Sequence, residues 1–261
     1  MTTGGLQGRT ALVTGSTGGL GLAIAERLAA EGCAVLIHGL APPAEGEALA
    51  QDLAARHGVA VRYRQADLAE PRQIESLVQA AAGPDILVNN AVTRHLAPIE
   101  AMTPDDWETD LAVNLSAPFH AIRLALPAMR ARGWGRIINM SSVYGLFGVA
   151  GRAGYVTTKT ALIGLTRAVA METLGDGITC NALCPGSTPT PAIEARIAAG
   201  MAERGETDRD AAIAAFLAGK QPTRRFVASE AVAAMAAFLC SEHGRDITGA
   251  ALPMDGGWSA S

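Results

Sequence analysis

Thr14-Gly15-Ser16-Thr17-Gly18-Gly19-Leu20-Gly21 decides how this chain folds. It lies between a short apolar run, Arg9–Thr14, and a stretch in which Ile24 and Leu28 recur at helical spacing, so it reads as a turn from strand into helix. Glycine permits tight turning and close approach to the backbone, and a helix start offers unpaired N–H groups and the positive end of a dipole. That combination suits a pyrophosphate. An ordinary glycine-rich loop has the same composition, but Gly15, Gly19 and Gly21 fit TGxxxGxG rather than the more widespread GxGxxG.

Outward from this turn the chain alternates short β-branched runs with longer Ala/Leu-rich stretches. Arg9–Thr14, Ala34–Ile37, Val59–Tyr63, Ile86–Val88, Arg136–Met140, Ile178–Leu183 and Ile247–Leu252 read as seven strands, each expected to be buried on both faces. The alternation predicts an α/β fold: a single doubly wound domain over 1–261, a seven-stranded parallel sheet with helices on both faces. The segment 187–222 holds Pro189 and Pro191 and is too long for a simple connection. Ile193, Ile197, Ile213, Phe216 and Leu217 need burial there, which predicts a small helical lid over the substrate.

Composition excludes other classes. With 261 residues, 49% hydrophobic and 18% charged, and a net charge of −4, the chain is neither disordered nor a basic nucleic-acid binder. Its apolar runs stay short of the roughly 20 residues that cross a bilayer, and Met1 to Gly8 is polar and unlike a signal peptide. A soluble cytoplasmic protein, with no nucleic-acid or membrane partner, is the expectation. Cys33, Cys180, Cys184 and Cys240 lack CxxC spacing and the histidines lack HExxH, so reduced, buried thiols and no metal are expected.

Further along come Asn89-Asn90-Ala91, Asn114, Ser142, Tyr155 with Lys159, and Pro185-Gly186. Behind TGxxxGxG, at these intervals, they resemble the classical short-chain dehydrogenase/reductases over nearly the whole chain. Hydride transfer at an alcohol carbon requires matched proton movement at its oxygen. A free tyrosine, at about 10, supplies little phenolate. Tyr155 and Lys159 lie four apart in the helical stretch Ala153–Met171, so a cation one turn away favours the phenolate. Tyr155 is thus the expected general acid/base, with Ser142 stabilising charge on the substrate oxygen and Ser141 turned elsewhere. The resemblance further implies that Asn114 holds a water linking Lys159 to solvent and that Lys159 bonds the nicotinamide ribose.

For the cofactor, the resemblance points to Gly15, Thr17, Gly19, Leu20 and Gly21 in the turn, Leu40, the pair Asp67 and Leu68, Asn90, Tyr155, Lys159, and Pro185, Gly186 and Thr188. Asp67 also reads as a helix N-cap. The second strand ends His38-Gly39-Leu40, without the acid that accepts a ribose 2′-OH, and the turn has no Arg or Lys for a 2′-phosphate. The missing positive charge favours NAD over NADP.

The stretches RHGVAVRYRQADL, LAVNLSAPFHAIRLALPAM, GRIINMSS, GITCNALCPG, KQPTRRFV and DGGW are similar to bacterial D-3-hydroxybutyrate dehydrogenases. That subfamily oxidises a small 3-hydroxy acid with NAD, and its substrate positions are changed here. Arg94 stands for a glutamine, Tyr144 for a histidine, Arg152 for a lysine, Ser187 for a tryptophan and Arg196 for a glutamine. Val92 replaces the motif glycine, which puts a positive φ there in doubt. Convergence of Arg94, Arg152 and Arg196 predicts a small anionic 3-hydroxy or 3-oxo acid, longer than hydroxybutyrate or carrying a second carboxylate. The alternatives are solvated surface arginines, an NADPH-dependent 3-oxoacyl-thioester reductase, or a non-catalytic dinucleotide-sensing scaffold. The resemblance also implies a homotetramer.

Overall fold

The computed structural model describes residues 5–261; Met1–Gly4, part of the polar start read above, lie outside them. Strands β1 (Thr10–Val13), β2 (Ala34–Gly39), β3 (Val61–Gln65), β4 (Ile86–Asn89), β5 (Gly135–Met140), β6 (Ile178–Pro185) and β7 (Ala251–Met254) form one sheet in the order β3-β2-β1-β4-β5-β6-β7. All its pairings are parallel. Helices α1 (Gly19–Ala30), α2 (Pro43–His57), α3 (Pro71–Ala80), α4 (Pro104–Leu111), α5 (Ala117–Arg132), α6 (Ala153–Glu172), α7 (Pro191–Arg204), α8 (Arg209–Leu217) and α9 (Ser229–Cys240) supply the connections and the lid segment.

Successive side chains of a strand point to opposite faces, and β1 shows the consequence. Ala11 and Val13 join the cluster under α1 and α9 with Ile24, Leu28, Val232 and Ala236, while Leu12 joins Ile74, Leu77, Ala121 and Ile122 under α3 and α5. Fully burying each such Leu or Ile side chain contributes about 1.5–3 kcal/mol, so a parallel sheet covered on both faces is the arrangement this alternation favours. Strand order reverses between β1 and β4, and the crevice at that switch is where α/β sheets take ligands.

Two strand expectations need correction. β3 is the sheet's edge, and Arg62, Arg64 and Gln65 are exposed rather than buried. The seventh strand starts at Ala251, not Ile247. Asn181 explains the slip: its side chain donates to Ile247 O at 2.6 Å and accepts from Ala250 N at 3.1 Å, taking the place of strand pairing until Ala182 meets Ala251. Gly249, at φ 73°, breaks the extended run.

All four cysteines are free and buried, and burial pushes Cys33 and Cys180 up to about 12. Among the described residues no helix is long and apolar enough to cross a membrane.

Candidate active site

The turn after β1 is held from two sides. Thr14 Oγ1 accepts from the N–H groups of Asn90 and Ala91 at 2.9 and 3.1 Å, and Asn90 Nδ2 donates to the carbonyls of Thr14 and Gly15, both at 2.9 Å. From β2, His38 Nδ1 accepts from Gly15 N–H at 3.0 Å, and Ser16 exchanges bonds with the His38 backbone. A methyl at Gly21 would overlap the Gly15 carbonyl and Asn90 Nδ2. Gly18 and Gly19, by contrast, have nothing within 4 Å of where a Cβ would stand. Gly18 caps α1 without a side-chain hydrogen bond, and the first helical turn has no acid. Its N–H groups therefore face an open cradle suited to an anion.

Along the ends of β2 and β3, Thr17 lies over Gly39, and Leu40 is 69% exposed. Leu68 turns into the core near Ile74, leaving Asp67 as the exposed member of that pair. The N-cap reading of Asp67 is corrected: Oδ1 accepts from Ala69 N at 2.9 Å, while α3 begins after Glu70 at Pro71.

A buried polar ladder sets α6 over the strand ends. Asn89 Nδ2 donates to Asn139 Oδ1 at 2.8 Å and Asn139 Nδ2 to Thr166 Oγ1 at 2.9 Å, linking β4, β5 and α6. Ser141 Oγ donates to Lys159 O at 2.8 Å, and Lys159 Nζ to Met140 O at 2.7 Å. Fixed this way, Tyr155 and Lys159 share the face of α6 that meets Ser142, with Lys159 Nζ 5.7 Å from the Tyr155 ring centroid. Ser142, at the end of β5, accepts from Tyr144 N at 3.2 Å through Oγ. Lys159 is buried, and burial, with Arg94's charge second, pulls it down to about 7.

Asn114 is placed differently. It lies in a π-helical turn, Ala112–Ser116, between α4 and α5, and its side chain clamps Thr93, accepting from Thr93 N at 2.9 Å and donating to Thr93 O at 3.0 Å. Its amide is thus committed to structure. Four residues on stands Pro118, which has no N–H, so the Asn114 carbonyl lacks its α-helical donor.

Two adjoining cavities open beside Tyr155. The smaller, of about 60 Å³, is lined by Leu20, Asn90, Arg94, Ser142, Tyr155, Lys159, Pro185, Gly186 and Thr188, among others. The larger, of about 220 Å³, shares Arg94, Ser142, Tyr155, Gly186 and Thr188 with it and adds Tyr144, Arg152, Ser187 and Arg196. The three arginines that sequence reading grouped are therefore brought together. Arg94 lies over the Tyr155 ring at 5.0 Å and Arg152 over Tyr144 at 5.4 Å. A bridge between Ala97 and Arg152 ties their loops together. Val92 needs no positive φ: among the described non-glycine residues only Ala82 and Arg224 have one.

Sequence reasoning placed Ile193 and Phe216 in the lid without giving them a place at the site, and missed Lys220 and Trp258. Lys220, Phe216 and Ile193 close the larger cavity from the lid segment, and Trp258 packs its ring edge-on against Tyr144 at 5.3 Å. Buried Gln221 accepts from Ser187 N and donates to Arg225 O at 2.5 Å, pinning the lid's base to the loop after β6. KQPTRRFV and DGGW flagged these stretches without saying where they fold.

The model of the family described as Enoyl-(Acyl carrier protein) reductase matches residues 15–259. D-beta-hydroxybutyrate dehydrogenase of Cupriavidus necator is 41% identical over 98% of this chain and 99% of its own. The chain is a short-chain dehydrogenase/reductase. Among its relatives, the 3-oxoacyl-[acyl-carrier-protein] reductase of Aquifex aeolicus is 37% identical over 97% of this chain and 98% of its own. L-sorbose reductase of Gluconobacter frateurii, solved with NADPH and L-sorbose, superposes with a TM-score of 0.92, at 30% identity and covering 100% of both chains.

As a short-chain dehydrogenase/reductase the protein is an oxidoreductase acting between CH–OH and C=O with a nicotinamide dinucleotide. The residues present fit that cofactor. Leu20, next to the open cradle at Gly18 and Gly19, also lines the smaller cavity with Tyr155 and Lys159.

Proposed function

We propose that the protein is an NAD-dependent dehydrogenase acting at carbon 3 of a small anionic 3-hydroxy or 3-oxo acid. The observation that carries this reading is the presence of Arg94 and Arg152 in the same cavity as Ser142 and Tyr155, with no carboxylate side chain lining it among the described residues. Guanidinium forks match a carboxylate and would hold the acid with carbon 3 toward Tyr155.

When bound, the nicotinamide dinucleotide would accept the hydride in oxidation and donate it in reduction. In oxidation, the alcohol proton goes to the Tyr155 oxygen as the C–H bond gives up its electron pair as hydride and the C=O bond forms; reduction reverses each transfer. Ser142 donates to the substrate oxygen as charge builds there. Lys159, drawn down to about 7, gains and loses a proton near neutrality and can pass it on from Tyr155. A water held near Asn114, as the family resemblance implies, would extend that relay toward solvent. Helices α7 and α8 act as the lid that excludes bulk water.

NAD is favoured over NADP because Ser16, Thr17 and Gly18 offer no cation, and the strand end His38-Gly39-Leu40 has none that is charged, His38 being buried with burial pulling its pKa down. The same lack of charge argues against the thioester reductase reading, although one relative has that activity. Exposed Phe119, Met171, Leu174 and Phe238 support a homotetramer, which sedimentation equilibrium would measure.

Absorbance at 340 nm, with NAD or NADP against 3-hydroxy acids, neutral secondary alcohols and 3-hydroxyacyl thioesters, tests the reading. It predicts the highest kcat/KM for NAD with an acid. Preference for NADP with a thioester would establish the alternative, and no turnover with any pair would leave a scaffold.

A further inference from the structure

The larger cavity holds more positive charge than one carboxylate needs. Arg94 stands at its catalytic end over Tyr155. At the lid end, Arg196 from α7 and Lys220 after α8 both lie against the ring of Phe216, at 5.4 and 4.3 Å from its centroid. Neither has a carboxylate partner among the described residues, and no Asp or Glu lines the cavity.

The lid does possess carboxylates, and they are used elsewhere. Glu194, two residues from Arg196, pairs with Arg209 at 2.5 Å, and Glu206 pairs with Arg204 at 3.1 Å. Two cations against one ring repel each other unless an anion joins them. Lys220 registers that repulsion, its pKa pulled down by burial first, then by Arg196 and Arg152. The ring's π face attracts each cation and fixes where it sits without neutralising it. Arg196, although exposed, and half-buried Lys220 both line this cavity and can be shared by one anion there.

We infer that the substrate is a 3-hydroxy or 3-oxo dicarboxylate, its first carboxylate beside the reacting carbon at Arg94 and Arg152, its second at Arg196 and Lys220. This rests on the proposed acid dehydrogenase and narrows it to a substrate class. Ser187 lines the same cavity, and its small side chain takes little of the room there.

The test uses two acids of equal length, 3-hydroxyadipate and 3-hydroxyhexanoate, with NAD, in the parent, Lys220→Met and Arg196→Gln. The expected result is a diacid-to-monoacid ratio of kcat/KM of about ten or more in the parent, falling toward one in both variants. Melting temperatures check that the variants fold, and competitive inhibition by adipate against hexanoate repeats the comparison without turnover. A parent that prefers the monoacid, or variants that keep the parent's ratio, would overturn the dicarboxylate inference and leave the acid dehydrogenase standing. Turnover of a neutral alcohol with neither acid used would overturn both.

Discussion

Gly15 N–H donates to Nδ1 of His38 at 3.0 Å, and Nε2 of the same ring meets the Ala66 carbonyl at 2.9 Å. Because Nδ1 accepts, Nε2 carries the proton and donates, so the ring is neutral and ties the phosphate turn to the end of β3.

Replacing His38 with Phe leaves Gly15 N–H and Ala66 O without these partners. The expected cost is about 1–3 kcal/mol in urea unfolding, with weaker NAD binding by fluorescence titration. The pH dependence has a fixed sign. Burial holds the folded pKa below its unfolded value of about 6.5, so the unfolded chain binds the proton more readily. The stability of neutral His38 is complete above that value and falls as pH drops from it toward the folded pKa. His38→Phe should flatten this part of the profile; an unchanged slope would assign it to other groups.

Arg152 is predicted to recognise charge. Arg152→Ala should raise KM for a 3-hydroxy acid about tenfold to a hundredfold while moving that of a neutral ketone far less. Equal effects on the two substrates would remove it from carboxylate binding.

Arg94 is predicted to act on the proton relay as well as on the acid. Its charge is the second cause, after burial, of the Lys159 depression to about 7. Removing that charge in Arg94→Gln lets Lys159 keep its proton to higher pH. The limb of log kcat/KM that titrates near 7 should therefore move upward, measured with a neutral ketone so that lost acid binding does not enter. A limb fixed at the parent's pH would show that burial alone sets the lysine.

What could be read from the sequence had local spacing behind it. Gly15, Gly19 and Gly21 are set by one turn, and Tyr155 and Lys159 by one helical repeat, so both groups were visible before any fold was known. Arg94, Arg152 and Arg196 were legible only through resemblance, since only the sheet's topology brings their loops together. Lys220 and Trp258 were missed because nothing periodic announces a side chain that enters a cavity from a distant connection, whereas Phe216 was legible only as an apolar residue of the lid. The strand end His38-Gly39-Leu40 reads only as lacking an acid, while the two main-chain bonds of the His38 ring depend on β2 lying between β1 and β3. The seventh strand slipped because the Asn181 side chain occupies main-chain partners, which hydrophobic pattern does not register.

Tyr155→Phe removes a single oxygen from the cavity and tests the central claim most directly. Hydride transfer from the preferred 3-hydroxy acid to NAD should fall by about 10²–10⁴-fold at 340 nm, with NAD still bound at near-parent affinity. Turnover close to the parent rate, with binding intact, would contradict the account.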